Sequence, residues 1–294
     1  MENIILVAGA TGNLGEKICR ALLAKGAQVR AVVRPESNPE KTEALREAGV
    51  LIFTADFNDP SQLQAACSGV SCVVSALAGL HEVIVEAQSQ LLDAAVDAGV
   101  PRFIPSDFCT DYTQLAEGCN RNFDLRKTFS RIAESRPIRL TSVFNGAFSY
   151  VLRFGIPLLD QKNKSIAYYK GKSDWKIDFT SLEDTAAFTA AAALDNAAPR
   201  FLRIAGFRVS PEDLVPLSAK VFGTPFRMEN QGILDQFKET IEKVRKVHPE
   251  GEHELYPAWQ QMQYLYSMFA AHHDELDNAC YPDISWQTAE EALQ

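Results

Sequence analysis

A single stretch near the start of the chain limits the folds open to it. Ile4-Ile5-Leu6-Val7-Ala8 is apolar at every residue, Gly9-Ala10-Thr11-Gly12-Asn13-Leu14-Gly15 sets three glycines directly after it, and Leu14, Ile18 and Leu22 recur at helical spacing up to Gly26. This pattern reads as strand, tight turn and helix, with Gly26 as the stop. A strand with no polar face belongs in a parallel sheet covered on both sides.

The same rhythm continues for over a hundred residues. Strands are expected at 29–33, 50–55, 72–76 and 102–105, with helices at 41–48, 60–67, 82–98 and 121–135 between them, and a sixth strand at 138–143. Strand–helix alternation calls for right-handed crossovers. The expected fold class is therefore α/β, a Rossmann-type doubly wound parallel sheet complete by about residue 144. After it the rhythm loosens into short strands at 165–170, 176–179 and 201–204 and helices at 182–194, 211–221, 235–247 and 256–271. That second half predicts a smaller α+β substrate domain. The division expected is 1–150 for the nucleotide and 151–294 for the substrate, with some segments of the second returning to the first.

Glycines between a strand and a helix let the backbone approach a pyrophosphate and set it at the positive end of the helix dipole. Gly9, Thr11, Gly12, Asn13, Leu14 and Gly15 are thus the expected cradle of a dinucleotide. Nineteen residues after Gly15 the second strand ends in Arg34, where an NAD-preferring fold would place an acid for the ribose hydroxyls. A guanidinium there suits a 2′-phosphate, so NADP(H) is the expected cofactor, with Lys41 as a second cation. The alternatives are a solvated Arg34 before Pro35 and a surface Lys41. Later strand ends face the same crevice and nominate Asp56 and Phe57 near adenine, Ser75, Ala76 and Leu77 near the phosphates and ribose, and Ser106 near nicotinamide. For each of these, simple strand-end packing is the alternative. Asn145-Gly146 either borders the nicotinamide or caps a helix.

Charge and composition narrow the partners. Asp and Glu number 38 against 29 Lys and Arg, for a net charge of -9. A phosphate-backbone surface needs a concentrated basic stripe, so no nucleic acid partner is expected. No run nears the roughly 20 apolar residues that span a bilayer, so no membrane is expected either. The opening Met1-Glu2-Asn3 carries no basic leader, and six cysteines form no CxxC pair. A cytoplasmic protein with reduced thiols is the expectation. Adjacent His272 and His273 diverge by about 100° on a helix, no HExxH spacing exists, and no metal is expected. The GxSxG elbow of a serine hydrolase is absent as well.

Together, Gly9 to Gly15, Val33-Arg34, Arg102-Phe103-Ile104-Pro105-Ser106-Asp107-Phe108, Phe123-Asp124-Leu125, Asp178-Phe179-Thr180 and Phe201-Leu202-Arg203-Ile204-Ala205-Gly206 resemble the NmrA-like, isoflavone-reductase-like branch of the atypical short-chain dehydrogenases. The resemblance spans most of the chain. It implies an NADPH-binding Rossmann domain and a smaller substrate domain. It also implies either reduction of isoflavones, lignan benzylic ethers or related aromatics, or nucleotide binding as a redox-sensing regulator. Reductases of this branch carry a catalytic lysine on the helix that opens with Phe-Asp/Glu-Leu/Val. The matching position here is Arg126, with Lys127 beside it.

On a helical wheel Leu125, Phe129, Ile132 and Ala133 share one face, Arg126 lies at its border and Lys127 points nearly opposite. Arg126 is the better placed catalytic candidate, yet an arginine holds its proton and is a poor donor. Asp107 is therefore added as a catalytic candidate, with Cys109, Tyr112 and Tyr169 as further donors. Phe144, Phe148, Tyr150, Phe154 and the aromatics between Trp259 and Phe269 are expected in the core, a minority of them reaching a substrate. The function expected is NADPH-dependent hydride transfer to a small aromatic or conjugated substrate of isoflavone, benzylic, enone or quinone type. The rival is an NADP(H)-binding sensor that works through a protein partner; a homodimer is compatible with both.

Overall fold

Ile5 and Val7 of the first strand point to one face of a sheet and Leu6 and Ala8 to the other, all four fully buried. The computed structural model describes residues 3–154 and 156–294. Strands β1 (Ile4–Ala8), β2 (Gln28–Val33), β3 (Leu51–Thr54), β4 (Cys72–Ser75), β5 (Arg102–Ile104) and β6 (Arg139–Leu140) run parallel in the spatial order β3-β2-β1-β4-β5-β6. This is the doubly wound Rossmann order, with its switch point between β1 and β4. Helices α1 (Asn13–Ala24) and α2 (Pro39–Glu47) cover one face; α3 (Pro60–Cys67), α4 (Gln88–Asp97) and α5 (Arg121–Glu134) cover the other.

Most helix starts follow from local chemistry. Asn38, Asp59 and Asn120 accept backbone N–H groups of the first turns of α2, α3 and α5, and Pro39 and Pro60 need no donor there. Helix α1 differs, because Gly12 precedes it and no side chain caps its first turn.

Two elements of the first half depart from the sequence expectation. The helix over 82–98 is α-helical only from Gln88; Glu82–Ala87 is a wider π turn, a geometry frequent at functional sites. The strand over 138–143 splits at Thr141. Register pairs Arg102 with Arg139 and Phe103 with Leu140, which would set Ser142 against Pro105. Proline has no N–H to offer a ladder. The chain accordingly leaves the sheet, and β7 (Ser142–Phe144) pairs elsewhere.

The second half supplies β8 (Ala147–Phe148), β9 (Leu159–Asp160), β10 (Ser165–Tyr168), β11 (Ile177–Thr180), β12 (Phe201–Arg203), β13 (Phe207–Val209) and β14 (Arg227–Asn230). These form a β12-β7 pair and the small sheets β13-β11-β8 and β14-β10-β9. Helices α6 (Leu182–Leu194), α7 (Pro211–Phe222), α8 (Leu234–Val247), α9 (Ala258–Ala270) and α10 (Ala289–Leu293) complete the chain. Leu158, Ile166, Tyr169, Phe179, Leu214 and Phe269 centre a separate core.

Helix α6 packs against α1, its alanines permitting a close approach, and adds Ala186, Phe188 and Ala190 to the core of the first sheet face. Arg102, fully buried in β5, donates to the carbonyls of Ala192 and Ala193 at the end of α6, at 2.8 and 3.0 Å. A cation there also meets the negative end of that helix. Among the described residues no helix is long and apolar enough to cross a membrane.

Candidate active site

The strand ends open onto two adjoining cavities, about 690 and about 370 Å³, which share Ala76, Leu77 and Ala78 as a wall. In the larger one Gly9 takes φ 77°, and a Cβ on it would sit 2.5 Å from the Ala76 carbonyl oxygen. A Cβ on Gly15 would collide with the Gly9 carbonyl, so this residue seats α1 against β1. Gly12, between them, is exposed, and a Cβ on it would meet the Gly9 carbonyl oxygen at 3.2 Å. The first-turn amides of α1, without any side-chain cap, point an electropositive helix end at this space.

Arg34 lines the same cavity from the end of β2. Its side chain is 62% exposed and its Nε lies 3.3 Å from Glu36 Oε1. Gly9, Thr11, Gly12, Asp56, Phe57, Ala76 and Leu77 line it too. The remaining nominees take other places. Lys41 Nζ donates to the Thr11 carbonyl at 3.3 Å, bracing the turn rather than lining the cavity. Asn13 and Gly15 lie within α1 and line neither cavity. Ser75 is fully buried at the end of β4, with no partner for its hydroxyl among the described residues, which makes it strand packing. Leu14 and Ser106 line the smaller cavity. Asn145 is fully buried: its side-chain amide donates to Thr185 Oγ1 at 3.3 Å, and its backbone carbonyl accepts from Thr180 Oγ1 at 2.7 Å. Its neighbour Gly146 lines the smaller cavity at φ 64°, pressed against the Asp178 backbone.

Arg126 reaches the smaller cavity from α5. Its Nε donates to the Ser106 carbonyl and its Nη1 to the Asn122 carbonyl, both at 2.9 Å. Two neutral acceptors fix the guanidinium while its charge stays available to a ligand. Lys127 turns away, donating to the Leu115 carbonyl at 2.8 Å. Phe129 and Ala133 are buried as the wheel requires, whereas Leu125 and Ile132 are only half-buried.

Asp107 lines neither cavity. Its Oδ2 accepts from Ser142 Oγ at 2.7 Å and Tyr112 Oη at 3.0 Å, and only 1% of the residue is exposed. Burial pushes its carboxyl above the usual range, with Ser142 and the Arg126 charge pulling the other way. Behind the cleft wall it has no path to a substrate. Tyr112 is committed to it, and Tyr169 is packed between Phe237 and Phe269 in the second core. Cys109 does line the cleft, but burial raises its thiol so far that it stays protonated at neutral pH.

Aromatic side chains finish the smaller cavity. Phe148, Tyr150, Phe154, Tyr256 and Tyr264 line it, with the Met268 thioether beside them. Phe144, Trp259 and Phe269 are core, and His273 is buried beside Asp178. Tyr264 was hidden in the sequence among aromatics of α9 that pack inward, and the π turn, whose Glu82, Val83 and Glu86 line the larger cavity, looks like any helical turn. The local signal for Tyr264 was only its place on an aromatic helix.

Residues 1–293 match the sequence profile of the NmrA-like family. The chain belongs to that family. Among relatives of this NmrA-like protein, pinoresinol reductase 1 of Arabidopsis thaliana is 28% identical over 99% of this chain and 96% of its own. Isoeugenol synthase 1 of Petunia hybrida is 30% identical over 99% and 92%. The solved structure of AtPrR2 with NADP+ and (+)pinoresinol superposes with a TM-score of 0.81 at 24% identity, covering 100% of this chain and 98% of that one. The whole NmrA-like chain, second half included, therefore shares that protein's fold.

Proposed function

We propose that this NmrA-like protein is an NADPH-dependent reductase of a small aromatic or conjugated substrate, of isoflavone, benzylic, enone or quinone type. One observation carries the reading: a glycine-floored cavity bearing Arg34 joins, across Ala76 to Ala78, an aromatic cavity that holds Arg126. Relatives named as pinoresinol and phenylcoumaran benzylic ether reductases support it. The residues fit the nucleotide, since a side chain at Gly9 would press on the cavity wall at Ala76, Gly15 lets α1 sit close behind the turn, and the amides opening α1 lack a side-chain cap. NADPH, when bound, supplies the hydride.

The chain does the rest. The turn amides would hold the pyrophosphate, and Arg34 would take the 2′-phosphate through a charge-assisted contact. Ala76 and Leu77 wall the nicotinamide end, which Ser106 and Leu14 approach from the substrate side. Phe148, Tyr150, Phe154 and Tyr256 stack on a flat ligand and exclude water. Arg126 binds the substrate oxygen that gains negative charge on reduction, the role of a preorganised electrostatic group. Asp107 positions the wall carrying Ser106 and Cys109. A pure sensor has no use for a second cavity of this kind, which favours the reductase.

The same proposal assigns 1–150 to the nucleotide and 151–294 to the substrate, and places the protein in the cytoplasm. Purified protein with NADPH and a panel of quinones, isoflavones, benzylic ethers and aromatic enones, followed by nicotinamide absorbance, tests the function. Reduction of at least one member is expected. Intact NADPH binding with no turnover anywhere in the panel would sink the reading in favour of the sensor.

A further inference from the structure

If Arg126 keeps its proton and Asp107 faces inward, reduction lacks an acid in the cleft. Tyr264, on α9, lines the smaller cavity together with Arg126. Its ring packs edge-on against Phe123, with 5.5 Å between centroids, and its hydroxyl oxygen accepts from Asn122 Nδ2 at 2.9 Å. The direction of that hydrogen bond is fixed by a neighbour. Arg121 Nε donates to Asn122 Oδ1 at 3.0 Å, and an arginine can only donate. The Asn122 amide group must therefore face the Leu255 carbonyl, at 3.1 Å, and Tyr264. Since Tyr264 receives this bond, its own proton points elsewhere, and no acceptor for it occurs among the described residues.

Other cleft hydroxyls are less suited. Ser106 Oγ donates to the Leu77 carbonyl at 2.6 Å, Tyr150 and Tyr256 stand exposed at the rim, and Thr110 is an aliphatic alcohol. Burial pushes Tyr264 up to about 12, with Arg126 and the Asn122 bond opposing, so the hydroxyl carries its proton at neutral pH.

We propose that Tyr264 is the proton donor of the cleft, aimed by Asn122 and Arg121 and paired with the Arg126 cation. The inference rests on the reductase reading. A hydride from the reduced nicotinamide forms the new C–H bond and the displaced electron pair moves to the substrate oxygen. The Tyr264 O–H breaks to form the new O–H bond, Arg126 stabilises the resulting phenolate, and solvent returns the proton. Arg121 and Asn122 are positioning residues.

The test uses 4-nitrophenol, whose phenolate imitates the charged oxygen, and its methyl ether 4-nitroanisole, which is neutral. Each is titrated into the full-length protein with and without NADP+. Tyr264→Phe keeps the ring packing and removes the donor. Asn122→Asp keeps the tyrosine but turns its proton toward residue 122. Both variants should weaken nitrophenolate by about 10- to 100-fold and leave nitroanisole unchanged, the range of one hydrogen bond to a charged group. Undiminished phenolate binding by Tyr264→Phe overturns the proposal; so do equal losses for both probes, which mark a packing role. On any substrate the wild type reduces, Tyr264→Phe should lower kcat at little cost in KM, and an unchanged kcat also overturns it. Retained phenolate preference in a wild type that reduces nothing would instead count against the reductase reading alone.

Discussion

Arg34 and Arg126 are the same residue type in two environments, and their uses differ accordingly. Arg34 is solvated at the mouth of the larger cavity with only Glu36 beside it, free to close on a phosphate. Replacing it with alanine should weaken NADPH by about 10- to 100-fold more than NADH, the scale of a charge-assisted pair. Equal losses by titration would take Arg34 out of the phosphate site. Arg126 is held by two carbonyls against the smaller cavity, where water screens it poorly. Arg126→Ala should reduce kcat/KM by about 100-fold, the loss seen when one oxyanion donor is removed, and Lys127→Ala should leave it within about twofold. Steady-state kinetics giving the reverse order would move the catalytic cation to Lys127.

At the level of elements, the glycine turn is as much a packing device as a ligand site. A methyl group on Gly15 meets the Gly9 backbone, which cannot yield as a flexible side chain does. Gly15→Ala should cost about 1–3 kcal/mol of stability in urea unfolding, with a loss of NADPH affinity. Unchanged values for both would show that α1 does not need to sit so close to β1. The switch of β7 away from the sheet has a comparable local cause in Pro105. It carries Ser142 to Asp107 and Arg200, with hydroxyl contacts at 2.7 Å to each. A proline in one strand thus decides where a buried carboxylate finds its partners. The alternation of strands and helices was legible from apolar runs; this switch was not, because it depends on which residue lies opposite.

For the molecule as a whole, α6 and Arg102 join the two halves. The core of the first sheet face contains α6 residues, and residues near the C-terminus such as Tyr281 and Trp286 pack there too. All three tryptophans, Trp175, Trp259 and Trp286, lie in the second half. Tryptophan fluorescence and far-UV circular dichroism should therefore follow one unfolding transition, and two resolved midpoints would show that the halves unfold separately. A buried histidine adds a dependence on pH. Burial holds His273 below its ordinary value, with Asp178 and Asp111 opposing and Arg208 and Arg203 adding to the depression. As pH falls through about 6.5 the unfolded chain takes this proton before the folded one, so stability drops until the folded pKa is passed. From about pH 7.5 to 5.5 the wild type should lose more stability than His273→Gln, and parallel losses in chemical denaturation would exclude the histidine as the cause.

The sequence by itself determined what is set by neighbours along the chain. Uniformly apolar strands, helical spacing, the caps Asn38, Asp59 and Asn120, and the glycine turn all act within a few residues, and each led to the Rossmann sheet. Arg34 could be assigned to the cleft for the same reason, as a strand end has a fixed direction; Arg126 was singled out by the family resemblance, and its helix face served only to separate it from Lys127. Tertiary structure alone decided which polar groups share a cavity. Asp107 turns inward because Ser142 and Tyr112 meet it there, and Asn145 because Thr185 does. Tyr264 joins Arg126 through Asn122, 142 residues away in the chain. Such meetings depend on the packing of α9 against α5 and on the strand that leaves the sheet at Pro105, and no local periodicity encodes either.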